Sequence, residues 1–152
     1  RVGYPPAMAA PQPHAGSPAP SGVLGDLPDR IVLFDGICVV CNRSVDWLLR
    51  RDREARLHFA PLQGETAARV RAALPGGLPE DLDSIAYLER EGPQWRLSLR
   101  SLALRRILED VGDGPLARSC GYRVFARLRY RLFGRLEACR IPDAAERARF
   151  LA

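Results

Sequence analysis

The stretch Ile31-Val-Leu-Phe-Asp35-Gly36-Ile-Cys38-Val-Val-Cys41 constrains this chain more than any other: an apolar run, a turn dipeptide, then two cysteines spaced C-x-x-C. Ile31 to Phe34 is continuous, apolar and partly β-branched, the pattern of a strand covered on both faces. After the cysteines, Cys41, Val45, Leu48 and Leu49 recur at i, i+4, i+7 and i+8, while Arg43, Asp46, Arg50 and Arg51 fall elsewhere. That spacing predicts an amphipathic helix ending near Asp52. The dithiol is therefore expected at a strand-to-helix junction, with Cys38 at the open first turn and Cys41 one turn in, on the buried face. Unpaired N–H groups and the positive dipole end of a helix favour a thiolate there, lowering a cysteine pKa from its usual value of about 8.5.

The rest of the chain builds on this unit. Leu57 to Ala60 alternates and stops at Pro61, which predicts a second strand, and strand-helix-strand order implies a right-handed parallel pair. A shorter helix is expected over Thr66 to Leu74. Ile85 to Leu88 and Trp95 to Leu99 flank Glu91-Gly92-Pro93 and predict an antiparallel hairpin. Ser101 is a candidate N-cap for a helix carrying Leu104, Ile107, Leu108 and Val111. A further helix is expected from Tyr122 to Phe133, and Asp143-Ala-Ala-Glu146 has the form of a capping box opening a last short helix. Residues 1 to 28 hold seven prolines among Gly, Ala and Ser, a composition that buries too little to offset its ordering entropy, and predict a disordered tail or linker. Residues 29 to 152 are then one α/β domain with a βαβαββα core and an additional C-terminal helical segment.

Composition narrows the function classes. The chain is 47% hydrophobic and 27% charged, as an ordinary soluble domain is, and has no uncharged apolar run near the roughly 18 residues that span a bilayer. Its formal charge of +5 comes entirely from arginine, since lysine is absent, and 18 acidic residues offset most of the 23 basic ones. No nucleic-acid partner is expected from so modest an excess. Four cysteines are too few for a disulfide scaffold, and two lie three positions apart, which suits an intracellular, cytoplasmic dithiol.

The chemistry that follows is thiol-disulfide exchange. Cys38 attacks a protein or small-molecule disulfide, Cys41 resolves the mixed disulfide, and an external thiol reductant restores the pair, with no metal or organic cofactor required. Asp35 opposes this electrostatically, because a carboxylate three residues before the nucleophile disfavours its thiolate. Its benefit lies in turn formation through an Asx hydrogen bond, with Gly36 supplying an unusual backbone conformation, or in proton transfer to and from the thiols.

Phe34-Asp35-Gly36-x-Cys38-x-x-Cys41, followed by Asn42-Arg43, resembles the DCC family of thiol-disulfide oxidoreductases. Arg56-Leu-His-Phe-Ala-Pro61-Leu62-Gln63, Arg100-Ser101-Leu-Ala103, Tyr122 to Gly134 and Cys139 resemble that family's later blocks. The resemblance implies a thioredoxin-like fold, protein-disulfide reductase activity, and Asp35, Cys38 and Cys41 as the site. In the wider thioredoxin-like group a cis-proline precedes the third strand beside the dithiol. Here Asp83-Ser84 stand before Ile85, so that either substrate docking differs accordingly or Pro61 supports the site instead.

Two other readings compete. Cys120 and Cys139 would have to complete a zinc site begun by the C-x-x-C pair, but they lie 19 apart, against the close second pair that structural zinc favours. They read better as small buried hydrophobes. The Arg-rich segment from Tyr122 to Arg135 would serve a non-catalytic thioredoxin-like module as its docking helix. Packing alone, however, gives no reason for two cysteines at a helix start.

Overall fold

The first strand lies inside the sheet because Ile31, Val32, Leu33 and Phe34 are all buried, leaving no face for water. The computed structural model describes residues 24–74, 76–112 and 142–152. Its elements are β1 (Arg30–Phe34), α1 (Val39–Arg51), β2 (His58–Pro61), α2 (Glu65–Ala73), β3 (Ala86–Glu91), β4 (Gln94–Leu99) and α3 (Arg100–Asp110). A 3-10 turn follows at Arg147–Arg149. The sheet order is β2-β1-β3-β4. β1 runs parallel to β2 and antiparallel to β3, and β3 pairs with β4 as a hairpin whose turn contains Gly92 at φ 61°. This mixed four-stranded sheet with three helices is the expected α/β core and is compatible with a thioredoxin-like fold.

The period-two alternation of the strands divides the core into two layers. Ile31, Leu33, Ala60, Ala86 and Leu88 face α2, packing with Ala67 and Val70. Val32, Phe34, Phe59 and Tyr87 face α1 and α3, packing with Val45, Leu48, Ala103 and Ile107. Leu24 and Leu27, at the end of the proline-rich segment, are buried in the α2 layer, and Asp26 pairs with Arg69 of that helix. A composition averaged over 28 residues conceals two leucines that find a core.

Two helix starts differ from expectation. α3 begins at Arg100, with Leu99 as its cap, so Ser101 is already inside the helix and caps nothing. Arg100 holds φ at 55°, a left-handed backbone that turns the end of β4 into the helix. At the other end, Asp143 and Glu146 do form the reciprocal capping-box bonds, Glu146 N–H to Asp143 Oδ1 at 2.9 Å and Asp143 N–H to Glu146 Oε2 at 3.4 Å. Only the 3-10 turn follows, because the sheet captures the next residues. Phe150 bridges Phe59 in parallel, and Leu151 N–H donates to Phe59 O at 2.8 Å. The Phe150 ring stacks on Phe59 and meets Phe34 edge-on. Cys120, Cys139 and the helix expected over Tyr122 to Phe133 lie outside the described residues.

His58 gives the fold a pH dependence. Burial, reinforced by the Arg149 charge, holds its imidazole below the ordinary value near 6.5. The unfolded chain therefore binds the proton first, and stability that is complete above about pH 6.5 is lost as pH falls through the folded-state value. His58→Gln is expected to flatten the decline in Tm between pH 7.5 and 5 seen in thermal melts. An equal decline in the variant would assign the acid sensitivity to other groups.

Candidate active site

The site is delivered by the paired ends of β1 and β2. Phe34 lies opposite Pro61, and Leu62 N–H donates to Phe34 O at 2.8 Å, so both strands are locked together where the chain leaves the sheet. The next residues form a tight turn in which Cys38 N–H donates to Asp35 O at 3.2 Å. Ile37 N–H donates to Asp35 Oδ1, also at 3.2 Å, the Asx bond that one of the two readings of this residue calls for. Asp35 itself is buried, 4% exposed.

Cys38 is the N-cap of α1. Its backbone is extended (φ −84°, ψ 116°), and its Sγ accepts a hydrogen bond from Cys41 N–H at 3.4 Å, taking the place of the serine or aspartate oxygen usual at a cap. The first turn of α1 carries no acidic residue. The sulfur thus sits where the helix concentrates its positive partial charge.

The exposures of the two cysteines are the reverse of those expected. Cys38 is 0% exposed, whereas Cys41 is only partly buried. The buried stripe of α1 runs through Asn42, Val45 and Leu48. Cys41 lies 100° from Asn42 around the helix, on the flank of that stripe. Cys38, as the cap, accepts from Cys41 N–H one turn on and is buried there.

Asn42 earns its interior place by hydrogen bonding: its Nδ2 donates to Gly36 O and to Cys38 O, each at 2.9 Å. From the other side, Gln63, in the β2–α2 connection, accepts from Gly36 N–H at 3.2 Å and donates to Asp35 Oδ1 at 3.0 Å. Sequence reasoning met both residues only inside blocks of family resemblance. Asn42 had a local signal in its i+4 relation to Cys38; Gln63 had none, its partners lying 27 and 28 residues upstream.

Gly36 does not have the unusual conformation expected of it. Among the described residues the left-handed glycines are Gly76, Gly92 and Gly112. The turn closes through the Asp35 side chain instead, and both polar groups of Gly36 are taken by side-chain amides. Pro61 lies one strand over from the turn, opposite Phe34, and no described peptide bond is cis. Among the described residues no three His, Cys, Asp or Glu side chains are grouped to hold a metal.

A family model described as DCC1-like thiol-disulfide oxidoreductase matches residues 32–135, from β1 through α3 and beyond. The chain belongs to this family. The DCC1-like chain is 30% identical over 143 residues to the uncharacterized protein YuxK of Bacillus subtilis, covering 82% of this chain and 96% of that one. It is 28% identical over 124 residues to a DCC family protein of Arabidopsis thaliana, named as chloroplastic, covering 73% of this chain and 69% of the relative. No solved structure matches. The family supports a redox role with a thiol or disulfide substrate, and no helix among the described residues is long and apolar enough to cross a membrane.

Proposed function

We propose that this DCC1-like chain is a protein-disulfide reductase in which Cys38 attacks and Cys41 resolves. The observation that carries the reading is the cap: Cys38 Sγ accepts the Cys41 N–H at the open end of α1, a donor that strengthens as the sulfur becomes anionic. In the cycle, the Cys38 thiolate attacks one sulfur of the substrate disulfide and expels the other as a thiolate, which takes up a proton. Cys41 then loses its proton and attacks Cys38 Sγ, expelling the second substrate thiolate. The substrate gains two electrons and two protons, the dithiol becomes a disulfide, and an external thiol reductant reverses that change. Asp35 acts by shaping the turn, a role supported by its bonds to Ile37 N–H and Gln63. A cytoplasmic setting, with its reduced thiol pool, suits this direction of flux.

The greater exposure of Cys41 favours a second assignment, in which Cys41 makes the first attack. Both assignments predict that the chain accelerates reduction of insulin by dithiothreitol, followed as turbidity. Cys38→Ser is expected to return the rate to that of dithiothreitol alone. A wild-type chain no faster than dithiothreitol overturns the reductase reading.

A further inference from the structure

We propose that Gln63 is a positioning residue for the dithiol, its side-chain amide fixing the Asp35–Gly36 link from which the Cys38 turn is built; the inference rests on Cys38 and Cys41 being the reactive pair. Gln63 is exposed, so packing does not select it. An exposed glutamine ordinarily gives both ends of its amide to water, yet here both ends are used on one turn. Oε1 accepts from Gly36 N–H, and Nε2 donates to the Asp35 carboxylate. A neutral amide does both, whereas an ionised glutamate lacks the donor and leucine lacks both groups.

The placement is stiff as well as chemically specific. Leu62 N–H is bonded to Phe34 O at the end of β1, and Gly64 N–H closes a turn on Pro61 O at 3.0 Å, so the backbone on both sides of Gln63 is held. Across the turn, Asn42 holds Gly36 O and Cys38 O. The residue that leads into the Cys38 cap is therefore gripped from a loop on one side and from α1 on the other. Gln63 also supplies the Asp35 carboxylate with a donor without adding charge. A second anion in its place would repel that carboxylate and disfavour negative charge on the sulfur three residues on.

The test is the pH dependence of Cys38 alkylation by iodoacetamide in the full chain, read by mass spectrometry on the Cys38 peptide so that the other cysteines do not contribute. Gln63→Glu is expected to move the midpoint upward by about half a unit or more, roughly a threefold loss of rate at a fixed pH below it. Gln63→Leu, which removes the bonds without adding charge, is expected to move it less. A midpoint unchanged in Gln63→Leu overturns the proposal, whatever happens to Tm or in Gln63→Glu, because glutamate shifts the profile by its charge alone and a merely stabilising contact leaves it in place. The measurement does not need turnover. Failure to reduce insulin counts against the reductase reading, whereas an unmoved profile counts against Gln63.

Discussion

Asp52→Ala is expected to lower stability by about 3 kcal/mol, the low end of the range for breaking a buried ion pair. Asp52 ends α1 and is 5% exposed. Its Oδ1 accepts from Arg56 N–H at 3.2 Å, and its Oδ2 accepts from Leu57 N–H at 2.8 Å and from the Arg149 guanidinium. Arg149 also donates through Nε to Leu57 O at 3.0 Å and lies over the Phe59 ring. One carboxylate thus stops a helix, starts β2 and anchors the segment that places Phe150 on the sheet. Alanine leaves two inward N–H groups and a guanidinium without their acceptor, each lost partner costing about 1 to 3 kcal/mol. Water reaches the Arg149 side chain, 16% exposed, and keeps the total near the lower limit. Asp52→Asn, which still accepts from a backbone N–H, is expected to lose about half as much. Arg149→Ala is also expected to lose less than Asp52→Ala, since Asp52 keeps its backbone donors. Urea unfolding at pH 7 measures all three. A loss below about 1 kcal/mol in Asp52→Ala would show that the network contributes geometry rather than stability.

The same residues show what a sequence discloses. β1 is legible because both its faces are covered, so four apolar residues in a row have one explanation. The α1 stripe is legible in Val45 and Leu48, but its centre is not, because Asn42 is polar and a pattern reading sends it outward. It is buried where Gly36 O and Cys38 O accept from its amide. That single reassignment turns Cys41 to the flank and reverses the expected exposures. The capping box at Asp143 and Glu146 is also legible, yet a local cap does not outweigh two phenylalanines on the sheet offering Phe150 a partner. The sequence leaves both turn formation and proton transfer open for Asp35, and the bond that the first calls for, from Ile37 N–H, is present. Gln63 has no local signature at all, since its meaning exists only once β2 lies beside β1.

Cys41→Ser is expected to hold a substrate on Cys38 as a mixed disulfide, extending its lifetime from a transient to the minutes or hours of uncatalysed rearrangement. After the first attack, Cys38 Sγ is bound to the substrate, and the thiol nearest in sequence is Cys41, one turn into α1. Serine cannot displace sulfur at neutral pH, so the intermediate persists. Non-reducing gels of Cys41→Ser incubated with insulin should show an adduct that dithiothreitol releases, absent from Cys38→Ser and from the double variant. Replacing Cys120 and Cys139 by serine in the Cys41→Ser chain tests whether either acts as a resolving thiol: a longer-lived adduct there identifies them as relays. The burial of Cys38 gives the experiment its force. Cys38 is 0% exposed and Cys41 is not, so an adduct on Cys38 would mean that the helix-end donor outweighs exposure in choosing the nucleophile. An adduct formed only in Cys38→Ser, through Cys41, would mean that exposure decides and would exchange the roles of the two cysteines.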